Sequence, residues 1–220
     1  DRTVQLTDVR LVGEEVWATG VADGTVAAVL LRRSRNGAWG AERLVGITGP
    51  SRQWASATNQ VWVAAFGGSQ RWDGQGWASR FTINDLVGTA EDNLWISGAE
   101  LDADGNPATG RVLAWDGDQW KTVLEVPGAR AFNLWRTPSG ELWAQTAPVP
   151  NPDNKVLVYV AQDPRDERGW QERHPDFTFT SGYGGLYGTA NGEVWIGGAY
   201  DTARWDGTKW NRHSMGDLCM

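Results

Sequence analysis

Residues 191–210 read NGEVWIGGAYDTARWDGTKW: a polar turn, a short apolar run built around Trp195, a second run ending at Trp205, an Asp-Gly pair and a closing Trp210. The first half of this phrase recurs as GEEVWATG around Trp17, TNQVWVAAFGG around Trp62, DNLWISG around Trp95 and SGELWAQT around Trp143. The second half recurs as RWDGQGW (Trp72, Trp77) and AWDGDQW (Trp115, Trp120), with degenerate versions at Asn36-Gly37-Ala38-Trp39 and Arg168-Gly169-Trp170. Five copies in 220 residues make one supersecondary unit of about 44 residues, repeated.

Each copy also carries an earlier run. Aligned on the first tryptophan, these are Leu11-Val12-Gly13, Gln53-Trp54-Ala55, Leu86-Val87-Gly88, Leu134-Trp135-Arg136 and Leu186-Tyr187-Gly188. Runs this short, rich in β-branched and aromatic residues and bounded by Asn, Asp and Gly, are antiparallel strands joined by hairpins. Asp73-Gly74, Asp116-Gly117 and Asp206-Gly207 supply the next turn, and the closing tryptophan begins a fourth strand. No ten-residue stretch has helical apolar spacing, which disfavours an α/β fold.

The expectation is an all-β, five-bladed β-propeller with four antiparallel strands per blade. It forms a single domain over residues 1–220, with blades near 7–45, 50–82, 83–126, 130–174 and 182–215. Most of the 15 tryptophans then belong to the core. Burying one removes ~150–250 Å² from water, a gross ~4–6 kcal/mol at ~25 cal/mol/Å² and an upper bound.

Charge and cysteine content narrow the partners. With 27 acidic against 20 basic residues the net charge is −7, which disfavours nucleic acid and anionic membrane surfaces. No apolar stretch reaches 18 residues, so membrane insertion is not expected. Cys219 is the single cysteine and allows no internal disulfide or cysteine zinc site. The opening DRTVQLTDV is neither a signal peptide nor a methionine start, so a processed or trimmed chain, its signal segment absent, is expected.

The phrase of a turn, Gly-x-Val/Leu-Trp-Ile-x-Gly and then Arg-Trp-Asp-Gly resembles the tandem propeller repeats of bacterial extracytoplasmic proteins. These include sensor propellers of two-component regulators and Trp-rich propellers of surface or lipoprotein type. The resemblance covers the whole chain and implies a propeller in a secreted, periplasmic or surface-anchored setting; it fixes no activity. A looser likeness to the Asp-box of sialidases, at Thr189 to Trp195, is one residue short and has Asn191 in place of the Asp. No sialidase chemistry is carried over.

Candidate chemistry lies where the repeat is interrupted. Three linkers exceed their counterparts: Ala99 to Gly110, Thr146 to Lys155 and His174 to Gly185. In a propeller, loops between second and third strands and loops between blades emerge on one face, so these three are expected around one mouth of the ring. They carry Asp102, Asp104, Asn106, Asn151, Asp153, Asp176, Phe177, Phe179 and Tyr183 as candidate ligand-binding residues. Acids beside exposed aromatics suit a polyhydroxylated ligand or a cationic peptide.

No cofactor is expected. Asp102, Asp104 and Asn106 alternate as in a calcium loop, but the glycine comes early and no bidentate Glu follows, so a polar hairpin turn is preferred to calcium. His174 and His213 stand alone. Glu14, Glu15, Glu91, Asp92, Glu141 and Glu193 repeat at one turn position, as turn chemistry does and a unique catalytic pair would not.

The resulting expectation is a monomeric, non-enzymatic binding module that recognises a glycan or protein through its loop-rich face. A glycoside-hydrolase-like enzyme with carboxylates near the axis is the alternative. A multivalent lectin with pockets between blades is the second, disfavoured by divergence between the copies.

Overall fold

A computed structural model describes residues 3–12, 14–22, 27–33, 36–55, 61–66, 68–71, 76–78, 81–90, 92–180, 183–189 and 191–214. Trp72, Asp73, Gly74, Glu91 and Cys219 lie outside the described residues. The described elements are all β-strands, arranged in four antiparallel sheets.

The first sheet has seven strands in chain order: β1 (Val4–Val12), β2 (Glu15–Ala22), β3 (Ala27–Arg33), β4 (Trp39–Ala55), β5 (Val61–Phe66), β6 (Gly68–Arg71) and β7 (Gly76–Ala78). Strand β4 is 17 residues long. Its first part pairs with β3, Trp39 opposite Arg33, and its last part with β5, Trp54 opposite Trp62. One strand thus ends one four-strand unit and begins the next.

The other sheets have four strands each. The second holds β8 (Phe81–Ala90), β9 (Asn93–Leu101), β10 (Pro107–Trp115) and β11 (Trp120–Pro127). The third holds β12 (Ala129–Arg136), β13 (Leu142–Pro148), β14 (Leu157–Ala161) and β15 (Trp170–Glu172). The fourth holds β16 (Tyr183–Gly188), β17 (Val194–Gly198), β18 (Asp201–Trp205) and β19 (Trp210–Ser214).

The turns form for local reasons. At Asp116-Gly117 and Asp206-Gly207 the glycines take φ of +102° and +100°, which a side chain rarely tolerates. The Asp116 carboxylate accepts the backbone N–H of Asp118 and Gln119, and Asp206 accepts those of Thr208 and Lys209, all at 2.9–3.0 Å. Each aspartate closes its own hairpin through an Asx turn.

The register corrects the alignment of the first copy. Trp54, Val87, Trp135 and Tyr187 lie opposite the phrase tryptophans Trp62, Trp95, Trp143 and Trp195. Trp17, however, faces Arg10. The equivalent of Leu86-Val87-Gly88 is therefore Val9-Arg10-Leu11, not Leu11-Val12-Gly13: Arg10 and Trp17 are seven residues apart, close to the eight of Val87 and Trp95, whereas Val12 is only five from Trp17.

Consecutive sheets meet through tryptophan. Trp143 of the third sheet lies edge-on to Trp205 and Trp210 of the fourth, with ring centroids 6.0 and 6.2 Å away. The same cluster holds Val158 from one side and Leu186, Val194 and Ile196 from the other. Trp95 of the second sheet shares a cluster with Leu134, Leu142 and Ala144 of the third and lies beneath the guanidinium groups of Arg136 and Arg165. Strand-start polar groups add a second tie. Asp8 accepts the N–H of Gln53, Asp85 that of Leu134, and Asn133 donates to the carbonyl of Gly184. Each links the first strand of one unit to the first strand of the next.

Candidate functional site

Strands β1, β8, β12 and β16, the first of their units, each carry a β-bulge, seen as register shifts at Leu6/Asp8, Ile83/Asp85, Ala131/Asn133 and Tyr183/Leu186. A bulge turns one side chain out of the alternating pattern, a device common beside binding sites. The residues displaced are Asn84 in β8, Phe132 in β12 and the Gly184 region in β16. All three line one cavity of about 790 Å³.

The remaining lining comes from strand β12 and the lengthened loops: Arg130 and Asn133, then Pro107 of the first loop and Pro148, Val149, Asn151 and Asn154 of the second. Gly184 belongs to the third, so all three interruptions of the repeat reach this cavity. Backbone bonds hold them together. Gly128 N–H donates to the Ala108 carbonyl, Val149 N–H to that of Gly128, and Phe179 N–H to that of Asn154. Within the second loop Asn151 both donates to the Lys155 carbonyl and accepts its N–H, each at 2.8 Å.

The chemistry on offer is specific. The Arg130 guanidinium lies 4.3 Å above the centroid of the Phe132 ring, and among the described residues it has no carboxylate partner. The Asn84 amide donates to the Ala131 carbonyl at 2.7 Å. That of Asn133 donates to Gln145 at 2.8 Å and to the Gly184 carbonyl at 3.1 Å. Their side-chain oxygens are left without a protein donor among the described residues. The lining thus supplies the Arg130 cation, amide acceptors and the apolar walls of Phe132, Pro107, Pro148 and Val149. Among the described residues no Asp, Glu, His, Ser, Cys or Lys lines it.

The residues nominated from sequence scatter around this cavity. Asn151 lines it. Asp102, Asp104 and Asn106 form an exposed turn in which the Asp102 carboxylate accepts the backbone N–H of Asp104 and Asn106 at 2.9 and 2.8 Å. Those bonds, led by Asn106, hold its carboxyl below the usual carboxylate range. Asp153 is exposed on a neighbouring turn. Asp176 lines a different, smaller cavity of about 380 Å³ together with Glu172, His174, Trp205 and Lys209.

The aromatics of the third loop correct the expectation of exposed rings. Phe179 is buried in the core between the third and fourth sheets, and Phe177 packs against that core, edge-on to Phe179 at 5.6 Å. They anchor the loop inward, as do Thr180 N–H and Arg212 Nε, both donating to the buried Asp201 carboxylate at 3.1 and 2.9 Å. Strand residue Tyr183 lies opposite Gly198; its side chain is outside the described set.

Sequence reasoning passed over Asn84, Arg130, Phe132 and Asn133, having sought acids on loops. A signal existed. Ile83 and Leu86, and likewise Ala131 and Leu134, are apolar residues three apart that all prove buried. In a strand, that spacing puts two residues where alternation allows one.

No family model matches the chain, and no curated protein does. Solved structures do. YCF48 bound to a D1 peptide aligns over 100% of this chain and 71% of its own, at 13% identity and a TM-score of 0.62. The extracellular domain of a putative hybrid two-component system, BT4673 of B. thetaiotaomicron, aligns over 91% of this chain and 27% of its own, at 15% identity and 0.62. A gluconolactonase from Xanthomonas campestris aligns over 96% and 87%, at 15% and 0.54. The chain has an all-β, β-propeller-type fold of four-stranded antiparallel sheets, with bacterial propellers among its structural neighbours. At these identities the likeness extends to the fold alone.

Proposed function

We propose that this chain is a non-enzymatic, extracytoplasmic binding module that holds a peptide or glycan segment in the cavity lined by its three lengthened loops. The observation that carries this is the lining itself: Arg130, with no carboxylate partner among the described residues, amide acceptors on Asn84 and Asn133, and proline, valine and phenylalanine walls. Such a surface can orient a ligand that brings both acceptors and N–H or O–H donors. Among the described residues it presents no acid, base or nucleophile to react with one. Glycoside hydrolysis needs two carboxylates across the scissile bond, and none of the described residues lining this cavity is one.

Neighbours with this fold include an enzyme as well as a peptide-bound protein, so the choice rests on the lining and not on the architecture. The extracytoplasmic setting rests on the resemblance of the repeats and on the extracellular neighbour. Among the described residues no helix is long and apolar enough to cross a membrane. The proposed architecture is five blades, supported by the division of β4 between two partners, which splits the seven-stranded sheet into two four-strand units.

Peptide and glycan arrays probed with the purified chain and with Arg130→Ala test the reading. A retained ligand whose binding falls about tenfold or more in the variant supports it, the size expected for a lost charge-assisted hydrogen bond of ~1.5–3 kcal/mol. Silence on both arrays, or equal binding by the variant, contradicts it.

A further inference from the structure

The repeat supplies an internal control for the lining of the loop cavity. Cross-strand register aligns the bulged segments of β1, β8 and β12 residue for residue: Gln5, Thr82 and Arg130 before the bulge, Asp8, Asp85 and Asn133 after it. Of these three strands, β12 is the one that brings both aligned residues to the cavity wall. There a neutral residue becomes Arg130 and an aspartate becomes Asn133. Each change moves the lining toward positive charge, in a chain whose net charge is −7.

The aspartates show what the asparagine avoids. Asp8 and Asp85 each accept a backbone N–H from a neighbouring unit, that of Gln53 and that of Leu134. Asn133 makes its tie in the opposite sense, donating to the Gly184 carbonyl. The link between first strands is kept while the carboxylate is removed. Arg130 also differs from Arg32, Arg111, Arg204 and Arg212, each of which lies against a glutamate or aspartate. It is exposed, stacks at 4.3 Å on the Phe132 ring and has no carboxylate partner among the described residues. Stacking orients the planar guanidinium without engaging its N–H fork, the geometry that a carboxylate meets with two parallel hydrogen bonds.

We propose that the cavity takes an acidic peptide: a ligand carboxylate pairs with Arg130, main-chain N–H groups donate to the Asn84 and Asn133 side-chain oxygens, and aliphatic side chains pack on Pro107, Pro148 and Val149. The assignment rests on this cavity being the binding site, as proposed above, and narrows its ligand to one class and one charge. A glycan fits less well, because Phe132 is the one aromatic ring among the described lining residues and a pyranose would compete with Arg130 for its face. A cationic peptide, suggested by the acids of the loops, fits less well too. Asp102, Asp104, Asp153 and Asp176 are not among the described lining residues.

Fluorescent hexapeptides test it, in matched sets differing by one glutamate, glutamine or lysine, each as free acid and C-terminal amide. Anisotropy is measured with the wild type, Arg130→Ala and Arg130→Glu, and an acidic glycan array is probed in parallel. The wild type is expected to bind a carboxylate-bearing member at least about tenfold more tightly than its neutral counterpart, a preference that salt weakens. A preference for glutamate that survives amidation assigns the carboxylate to a side chain; one lost on amidation assigns it to the chain end. Arg130→Ala is expected to erase the preference and Arg130→Glu to turn it toward lysine, with melting temperatures unchanged. Equal binding of charged and neutral members, or no peptide binding, overturns the proposal. If Arg130→Ala weakens charged and neutral members alike, the cavity still stands as the binding site. Acidic glycans bound in place of every peptide overturn the peptide and leave the cavity standing. Peptide binding indifferent to both substitutions removes the cavity as well.

Discussion

Asp206 shows how one side chain fixes a hairpin. Its carboxylate accepts from the backbone N–H of Lys209 and Thr208, from the Asn211 amide and from the Thr208 hydroxyl, and these bonds hold it well below the usual carboxylate range. Asp116 is held low in the same way, first by Lys121 at 2.6 Å and then by the backbone of Gln119 and Asp118. A folded-state value below the unfolded one means that the charged form is favoured by folding. That contribution is present above the unfolded value, ~3.9, and is lost as pH falls toward the folded one. Asp206→Ala is therefore expected to lower the melting temperature at pH 7, by a margin that narrows in acid. A margin that stays constant into acid would show the turn to be indifferent to charge. The Asp-Gly turn was legible in the sequence because its chemistry is local. The roles of Phe177 and Phe179 were not, since loop position says nothing about which way a ring packs.

At the scale of the strand, the alternation that identifies an element also locates its irregularities. Asp85, the residue after the bulge in β8, accepts the N–H of its neighbour Leu86 and of Leu134 in the next sheet, both at 2.9 Å. Asp85→Ala leaves the Leu134 N–H without this acceptor and is expected to destabilise by ~1–3 kcal/mol in denaturant unfolding. Trp143→Ala removes the ring between two sheets and is expected to cost ~3–5 kcal/mol. A loss under 1 kcal/mol would contradict its place in the junction. Strand number and turn positions were readable from periodicity and glycine. Register was not: Val9 takes the place given to Leu11, two residues away, and only cross-strand pairing reveals it. The bulge residues were readable in principle, through the i, i+3 apolar pairs, but look like loop starts until strands on both sides are paired.

For the whole molecule, the repeated tryptophans account for cohesion and the departures from the repeat account for the cavity. Sequence located the three lengthened loops but not the inner-strand residues that complete the lining, since Arg130 and Asn133 meet Pro107 and Asn151 only after neighbouring sheets are arrayed. Stability and recognition should therefore separate by residue. The most direct measurement is calorimetric titration of an array-selected ligand into the wild type and Arg130→Ala, with the melting temperature of each recorded. The account predicts at least about tenfold weaker binding at an unchanged melting temperature, since Arg130 is exposed and stacks on Phe132, with no ion-pair partner among the described residues. Equal affinity in the two proteins would place the ligand elsewhere and contradict it.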